Sequence, residues 1–320
     1  MKRILTIDGG GIKGTFAVAF LAALEEDTGT PIGRYFDLIA GTSTGGVIAL
    51  GLGLGYSARE MLNFYLQLGP KIFASNGWIK FLKHLGWSKY SPKPLEAALR
   101  GTFGTKTLGE SKTRLVIPSV NLENGEVYIY KTSHHPRLAT DWRKSVIEVA
   151  MATAAAPSYF PTHRAEMGTP LIDGGIWANN PVGLAVVEGI GVLGWERSDL
   201  RVLSLGCTHS PLNIQKARDK SCGRLYWALK LTDLFMSSQS SGACGTASIL
   251  CPDPENQLFR YNPPAPEDRF SLDGIKELES LRGLGHSEAR KAKPRLHPVF
   301  FTAPAEAFSP IHTGNIPTYQ

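Results

Sequence analysis

The sequence predicts an α/β protein, a three-layer α/β/α sandwich with a mainly parallel sheet. Short apolar runs of strand type alternate with longer runs of helical apolar periodicity through about the first 205 residues. This alternation is typical of parallel sheets, in which crossover helices cover both faces. The chain has 320 residues, of which 42% are hydrophobic and 19% charged, enough to bury a large core. We therefore expect a single domain over residues 1–320, with a core over about 4–190 and a C-terminal extension over about 210–320.

Each predicted element follows from its own local pattern. Short apolar runs that end at glycine or polar residues predict strands at 3–8, 36–40, 115–120, 126–130, 171–173 and 201–205. Apolar residues at helical spacing predict helices at about 15–28, 45–54, 145–156, 181–190 and 272–284. Ser57 and Glu60 have the spacing of a capping box and predict the start of a further helix. Beyond residue 210 prolines mark loops and the pattern weakens.

The first strand leads into a glycine-rich loop, Asp8–Gly14, and then into a helix. The loop fits G-x-G-x-x-G, and its converging N–H groups are suited to hold either a pyrophosphate or an oxyanion. A dinucleotide fold needs an acidic residue at the end of its second strand, but Asp37 opens that strand and Gly41–Ser43 follow it. A Walker loop is excluded because its lysine would have to follow the last glycine. The pattern therefore favours an oxyanion hole formed by the N–H groups of Gly10 and Gly11.

A second glycine turn, at residues 41–45, reads GTSTG and matches G-x-S-x-G. It lies between a predicted strand and a predicted helix, which is the context of a nucleophile elbow. In such an elbow a sharp turn raises the serine hydroxyl above the sheet, and the small residues beside it remove the clash. We therefore expect Ser43 to be a nucleophile, with a structural glycine turn as the alternative.

A nucleophilic serine needs a group that accepts its proton. In hydrolases with this elbow, the catalytic histidine follows the serine and the acidic residue in chain order. Among the eight histidines this order would nominate His286 or His297, but neither follows a predicted strand. Asp173 is the better candidate, since it ends a strand beside Gly174 and Gly175. There a carboxylate can approach a serine closely, and burial would raise its pKa. The alternative is an ordinary Asp-Gly-Gly turn.

Together the motifs DGGGIKG, GTSTG and DGG, in this order and with these flanks, resemble the patatin-like phospholipase family from residue 4 to about 190. Asn179–Pro181 and Ala155–Pro161 are also similar to segments of that family. The resemblance implies a patatin-like fold and a catalytic dyad of Ser43 as nucleophile and Asp173 as general base, with no metal and no organic cofactor. It implies an oxyanion hole at Gly9, Gly10 and Gly11, and supporting motif residues at Asp8, Lys13, Gly14, Gly41, Gly45, Gly174 and Gly175.

Two positions depart from the family's pattern. Lys13 stands where the family usually has arginine, so a bidentate contact becomes a point charge, and we expect weaker support of the loop without loss of activity. Gly206–His209 follow the strand at 201–205, where the family often has a glycine-rich turn. The role of that segment stays open.

The resemblance implies a lipid acyl hydrolase of the phospholipase A type, which cleaves glycerophospholipid esters through an acyl-Ser43 intermediate. Three alternatives stay open. The first is a general carboxylesterase or neutral lipase, and the second is an antiphage effector phospholipase that degrades the host membrane. Since similar bacterial members are activated by cyclic nucleotides, such a nucleotide is the candidate activator. The third is a pseudoenzyme or storage protein. A homo-oligomer is also left open.

The charge distribution favours an anionic partner. The net charge is +6 and the pI about 9.1, which by themselves suit nucleic acid, anionic lipid or phosphate esters. Together with the resemblance, they lead us to expect a membrane phospholipid and no nucleic-acid polymer. Between Glu60 and Glu96 there is no acidic residue. Within this stretch apolar residues at helical spacing alternate with basic ones: Trp78, Lys80, Phe81, Leu82, Lys83, His84 and Leu85. We expect peripheral membrane contact through about residues 71–93, with an amphipathic helix packed on the core as the alternative.

Further observations concern the location of the chain. The N-terminal apolar run is too short for a signal peptide. The 4 cysteines include no C-x-x-C pair, which favours reduced thiols. The 21 uncharged residues from Leu38 to Ala58 are long enough to span a bilayer, but their glycines and hydroxyl residues favour buried core. We expect a cytoplasmic protein that lies peripherally at the inner face of the membrane.

Overall fold

The computed structural model describes residues 1–72, 88–209, 221, 223–265 and 270–313, the side chains of 224–226, 228–230 and 233 excepted. Within these residues eight strands form one sheet. They are β1 (Lys2–Ile7), β2 (Leu38–Gly41), β3 (Arg114–Asn121), β4 (Val127–Lys131), β5 (His163–Arg164), β6 (Pro170–Asp173), β7 (Leu200–Leu205) and β8 (Leu258–Tyr261).

The strand order is β5-β6-β3-β2-β1-β7-β8, and β4 also pairs with β3. The strands β1, β2, β3, β7 and β8 are parallel, whereas β4, β5 and β6 join by antiparallel pairing. The predicted mainly parallel sheet is confirmed. Because β1 and β2 are neighbours and Ile7 pairs with Gly41, the two glycine turns leave the sheet side by side at its carboxyl edge.

Helices cover both faces of the sheet. They are α1 (Gly14–Glu25), α2 (Thr44–Gly53), α3 (Ala58–Ile72), α4 (Lys93–Phe103), α5 (Val146–Thr153), α6 (Gly175–Ala178), α7 (Val182–Gly191), α8 (Arg224–Leu250), α9 (Pro254–Gln257) and α10 (Leu278–Phe300). Side chains alternate along each strand, so Ile4 and Val202 pack beneath α7 and α8, while Leu5 and Leu203 belong to the larger core formed with α1, α2, α3, α5 and α10. The α/β/α sandwich predicted from the sequence is confirmed.

The uncharged segment from Leu38 to Ala58 forms β2, α2 and the start of α3, and nearly all of it is buried in this core. Among the described residues no helix is both long enough and apolar enough to cross a membrane. The capping box is also present, since the Ser57 N–H donates to Glu60 Oε2 at 2.7 Å and the Glu60 N–H donates to Ser57 Oγ at 3.1 Å.

The C-terminal third differs most from the sequence-based expectation. Helix α8 has 27 residues and was not predicted, since its second half consists of small and polar residues without an apolar period. The helix predicted at 272–284 is wrong in its bounds: α10 begins at Leu278 and continues to Phe300. It contains Pro294 and Pro298, which are costly inside a helix and hid its second half.

Candidate active site

Ser43 occupies a strained turn between β2 and α2. Its backbone has φ 55° and ψ −123°, a region that residues other than glycine rarely adopt. The turn is tight enough that a Cβ on Gly41 would collide with the carbonyl oxygen of Gly45, and one on Gly45 with that of Ile7. This is the geometry of a nucleophile elbow, and it presents the Ser43 hydroxyl above the carboxyl edge of the sheet.

The Ser43 hydroxyl donates a hydrogen bond to Oδ2 of Asp173 at 2.6 Å. The Ser43 N–H donates to Thr153 Oγ1 at 3.0 Å, and the Thr153 hydroxyl donates in turn to the Pro118 carbonyl at 2.7 Å. The elbow is thereby tied to α5 and β3. The structure thus brings together two side chains that lie 130 positions apart in the chain.

Asp173 ends β6 and is only 5% exposed. Its second oxygen, Oδ1, accepts the N–H of Gly175 at 2.7 Å, which fixes the carboxylate plane. A Cβ on Gly174 would collide with the Pro118 carbonyl, so the turn after Asp173 requires glycine there. Burial raises the pKa of the Asp173 carboxyl to about 6, although the hydrogen bonds from Ser43 and Gly175 lower it. At neutral pH this carboxylate is ionised and is a stronger proton acceptor than an exposed aspartate.

The raised pKa predicts the pH dependence of both rate and stability. We expect kcat for a soluble ester to rise with pH through about 6, because Asp173 accepts a proton only when ionised. Since its pKa in the folded state lies above the 3.8 of an ordinary aspartate, Asp173 favours the folded state at low pH, and this contribution is lost as pH rises through about 6. Asp173→Asn is therefore expected to raise the melting temperature at pH 8 and to raise it less at pH 5.

Rate profiles of the wild type and melting curves of both proteins at the two pH values test this prediction. A kcat that stays constant down to pH 4.5 would contradict the prediction that protonation of Asp173 lowers the rate at acidic pH. A stabilisation by Asp173→Asn that grows towards low pH would contradict the raised pKa.

The glycine-rich loop lies beside Ser43, since a Cβ on Gly9 would be 3.2 Å from Ser43 Cβ. The N–H of Gly9 donates to the Asn179 carbonyl at 3.0 Å, and the N–H of Ile12 donates to the Leu272 carbonyl at 2.8 Å. Among the described residues the N–H groups of Gly10 and Gly11 have no acceptor. Of the three glycines expected to form an oxyanion hole, Gly10 and Gly11 therefore have the available donors, and Gly9 serves to hold the loop.

The remaining motif residues support this arrangement. Gly14 lets the start of α1 approach α2, because a Cβ there would be 2.6 Å from Thr44 Oγ1. Asp8 is buried and forms an ion pair with Arg260. Lys13 closes the short helical turn Gly11–Lys13, in which its N–H donates to the Gly10 carbonyl at 3.1 Å.

Ser43 and Asp173 lie on the wall of an apolar cavity of about 720 Å³. Its lining comes mainly from the helices α2, α3 and α8 and from the segment that follows α5. The apolar lining residues are Val47, Phe64, Tyr65, Ile72, Leu95, Pro157, Tyr159, Phe160, Phe235, Met236 and Leu272. An apolar cavity beside a nucleophile is suited to an acyl chain, and the polar reacting groups are confined to one wall.

Sequence reasoning gave no role in the site to several residues that the structure brings there. Thr153 and Asn179 orient the elbow and the glycine loop, and Arg260 and Leu272 reach the same loop from the C-terminal third. A charged residue within a short apolar run, as Arg260 is in Leu258–Tyr261, was the available signal. His286 and His297 both lie on α10, and neither has a hydrogen bond to Ser43 or Asp173 among the described residues.

The stretch expected to contact the membrane lies mostly outside the described residues, which omit 73–87 and with them Trp78, Lys80, Phe81, Leu82, Lys83, His84 and Leu85. The described residues near the C-terminal end of this stretch contact Asp273, which follows Leu272 of the cavity wall. The Tyr90 hydroxyl donates to Asp273 Oδ2 at 2.6 Å, and Lys89 forms an ion pair with the same carboxylate. Lys71 is exposed at the end of α3.

A protein-family model and several known proteins are similar to this chain. A family model described as patatin-like phospholipase matches residues 5–186. A cGAMP-activated phospholipase of Pseudomonas aeruginosa is 35% identical over 298 residues, which cover 92% of this chain and 86% of the relative. A cGAMP-activated phospholipase of Vibrio cholerae is 34% identical over 225 residues, 64% of this chain and 63% of the relative. Patatin-like protein 2 of Oryza sativa subsp. indica is 28% identical over 286 residues, 75% of this chain and 70% of the relative.

Proposed function

Since this chain belongs to the patatin-like phospholipase family and is an ester hydrolase of the serine type, we propose that it cleaves acyl esters of glycerophospholipids through Ser43 and Asp173. The observation that carries the proposal is the 2.6 Å hydrogen bond from the Ser43 hydroxyl to Asp173 on the wall of the apolar cavity. The apolar cavity matches the acyl chain of such a substrate, and Ser43 with Asp173 matches its reacting ester.

The proposed reaction has two steps. In the first, Asp173 takes the proton of the Ser43 hydroxyl while the oxygen attacks the ester carbonyl, and the N–H groups of Gly10 and Gly11 stabilise the oxyanion. Collapse of this intermediate transfers the proton to the leaving alcohol, a lysophospholipid, and leaves an acyl-Ser43 ester. In the second, Asp173 deprotonates a water that attacks this ester, and the fatty acid leaves as Ser43 regains its proton.

We further propose that a cyclic nucleotide activates this phospholipase. Two relatives at 34% and 35% identity are named cGAMP-activated phospholipases, and one of them is matched over 92% of this chain. A hydrolase of bilayer lipid is harmful to the cell that makes it, so control by a small signal is consistent with a role in antiphage defence. A general carboxylesterase without such control is the competing proposal.

Lipid profiling of liposomes treated with the purified chain tests both proposals. With cGAMP present we expect release of free fatty acid and lysophospholipid, and we expect neither with Ser43→Ala. Without the nucleotide the release is expected to be much slower. Equal release with and without any cyclic dinucleotide would contradict the gate but not the hydrolase, and cleavage of soluble esters alone would favour the carboxylesterase.

We also propose that the protein reaches its substrate as a peripheral membrane protein at the inner face, through about residues 71–93. The composition of this stretch supports the proposal, because cations beside apolar side chains suit an interfacial segment. Exposed apolar side chains near the cavity mouth also support it, since Ile176 is 57% and Phe235 63% exposed.

Reversal of charge in this stretch is expected to weaken membrane binding. Each lysine near an anionic surface contributes about 1 kcal/mol, so Lys80→Glu with Lys83→Glu should weaken binding to anionic vesicles by roughly tenfold or more. Hydrolysis of vesicle lipid should slow, most of all at low salt, while hydrolysis of a soluble short-chain ester should be unchanged. Vesicle cosedimentation and the two rate assays measure these effects.

The matched control is Arg290→Glu with Lys291→Glu, which makes the same change in net charge on the exposed face of α10. Equal losses on vesicles and on the soluble ester would place residues 80 and 83 in the core or the active site and contradict the docking proposal. If the control variant weakened vesicle binding equally, the loss would be an effect of net charge alone, and this too would contradict the docking proposal.

A further inference from the structure

Three contacts hold the glycine-rich loop from residues that lie beyond the part matched by the family model, 5–186. The side chain of Arg260 meets Asp8, the side chain of Cys207 packs against Gly10, and the backbone of Leu272 lies on Gly11. The C-terminal third of the chain therefore forms part of the wall against which the oxyanion donors are placed.

The contact between Arg260 and Asp8 is the most specific of the three. Arg260 Nη1 donates to Asp8 Oδ1 at 2.8 Å, and Nη2 donates to Oδ2, so the pair is bidentate. Nη1 also donates to Ser204 Oγ on β7 at 2.8 Å. The Arg260 side chain is 18% exposed and that of Asp8 only 6%. A charged pair this far from water is tied to one geometry, because either partner alone would be a buried uncompensated charge.

The position of Asp8 explains what this geometry controls. Asp8 is the first residue after β1, and its N–H donates to the Leu205 carbonyl at 2.9 Å. The thiol of Cys207 donates to the Asp8 carbonyl at 3.3 Å. Burial raises the pKa of Cys207 to about 12, so it stays a protonated donor. Side chain and backbone of Asp8 are thus both fixed, two residues before the first available oxyanion donor, the N–H of Gly10.

A buried ion pair adds little net stability compared with well-packed apolar residues. The guanidinium is nevertheless aimed at one carboxylate at the entrance of the loop, and its planar fork fixes the direction of that carboxylate. Resting on the proposed function, we infer that Arg260 is a positioning residue: through Asp8 it sets the N–H groups of Gly10 and Gly11 at the distance from Ser43 that the oxyanion requires.

The test compares Arg260→Lys with a matched variant, Arg3→Lys. Arg3 is also a buried arginine, and it lies on β1 at the opposite end of the strand from Asp8. Its Nη1 donates to the carbonyls of Phe300 and Ala303, both at 2.6 Å. Each substitution keeps the charge and removes the fork. At a temperature where both variants are folded, Arg260→Lys is expected to lower kcat for a soluble ester about 10- to 100-fold, with KM within about twofold. Arg3→Lys is expected to leave kcat within about twofold.

Two further readouts separate positioning from mere stability. A trifluoromethyl ketone, which forms an oxyanion adduct with a nucleophilic serine, should bind Arg260→Lys weaker by the same factor as the fall in kcat. Hydrogen exchange over residues 9–14, measured on the protein without substrate, should quicken in Arg260→Lys and not in Arg3→Lys. If Arg260→Lys lowers only the melting temperature, with kcat, ketone affinity and exchange as in Arg3→Lys, the inference is wrong.

Failure of the proposed function would look different. A wild type that hydrolyses no ester and binds no ketone would overturn that function, whereas the exchange measurement would still decide whether Arg260 fixes the loop. Unchanged exchange would overturn the inference even in an active enzyme.

Discussion

Ser43→Ala is expected to lower kcat for ester hydrolysis by roughly 10⁴-fold or more, and Asp173→Asn by a comparable factor. The reason is that the two side chains act as one unit across the 2.6 Å hydrogen bond, so loss of either removes nucleophilic attack. Both substitutions are small and leave the backbone turns unchanged. Circular dichroism and melting curves should therefore show folded protein while the rate of ester hydrolysis is lost.

His286→Ala and His297→Ala are the controls for a histidine base. Both residues lie on α10, and neither bonds to the dyad among the described residues, so each variant is expected to keep kcat within about twofold. If either histidine variant loses as much rate as Ser43→Ala, the dyad must be abandoned for a triad.

Gly10→Val is expected to lower kcat about 100- to 1,000-fold with little change in KM, because an oxyanion donor acts mainly in the transition state. Gly10 has φ 175°, an extended conformation open to any residue, so the obstacle is steric. A Cβ there would lie 2.8 Å from Cys207 Sγ and closer still to Cys207 Cβ. The smaller substitution Gly10→Ala should consequently be rescued in part by Cys207→Gly.

Gly101→Val is the matched glycine control, since no atom lies within 4 Å of a Cβ placed there. Steady-state kinetics with a soluble ester measure all of these variants. A rise in KM with kcat unchanged would mean that the loop binds a ligand instead of stabilising an oxyanion. Binding of NADH or ATP that is lost in Gly10→Val would restore the dinucleotide interpretation.

The parts of the fold and site that the sequence predicted best are those whose pattern lies within a short stretch of the chain. Glycine patterns at 9–14 and 41–45 sit directly between a strand and a helix, so the turns and their edge of the sheet followed from short-range rules. Asp173 was nominated because it ends a predicted strand beside two glycines, and the resemblance to a family then implied its pairing with Ser43, 130 positions away. The catalytic roles of both residues stay predictions until the variants are measured.

What the sequence did not reveal depends on distant contacts. Arg260 meets Asp8 across 252 positions, and nothing near either residue in the chain indicates the other. The second half of helix α8, residues 237–248, is built from small and polar residues, and its stability comes from packing on α7 rather than from an apolar stripe of its own. Helix α10 contains two prolines, so local propensity argued against a helix that packing on α1 maintains.

The long reach from Asp8 to Arg260 also has a consequence for synthesis on the ribosome. A chain grows at about 5–20 residues per second, so the 252 residues that separate the two partners take roughly 10 to 50 s to add. During that interval the elbow and Asp173 have left the ribosome, while Asp8 still lacks its guanidinium and Ile12 lacks the Leu272 carbonyl. The glycine loop of the nascent chain is therefore held by none of these C-terminal contacts until strand β8 has been made.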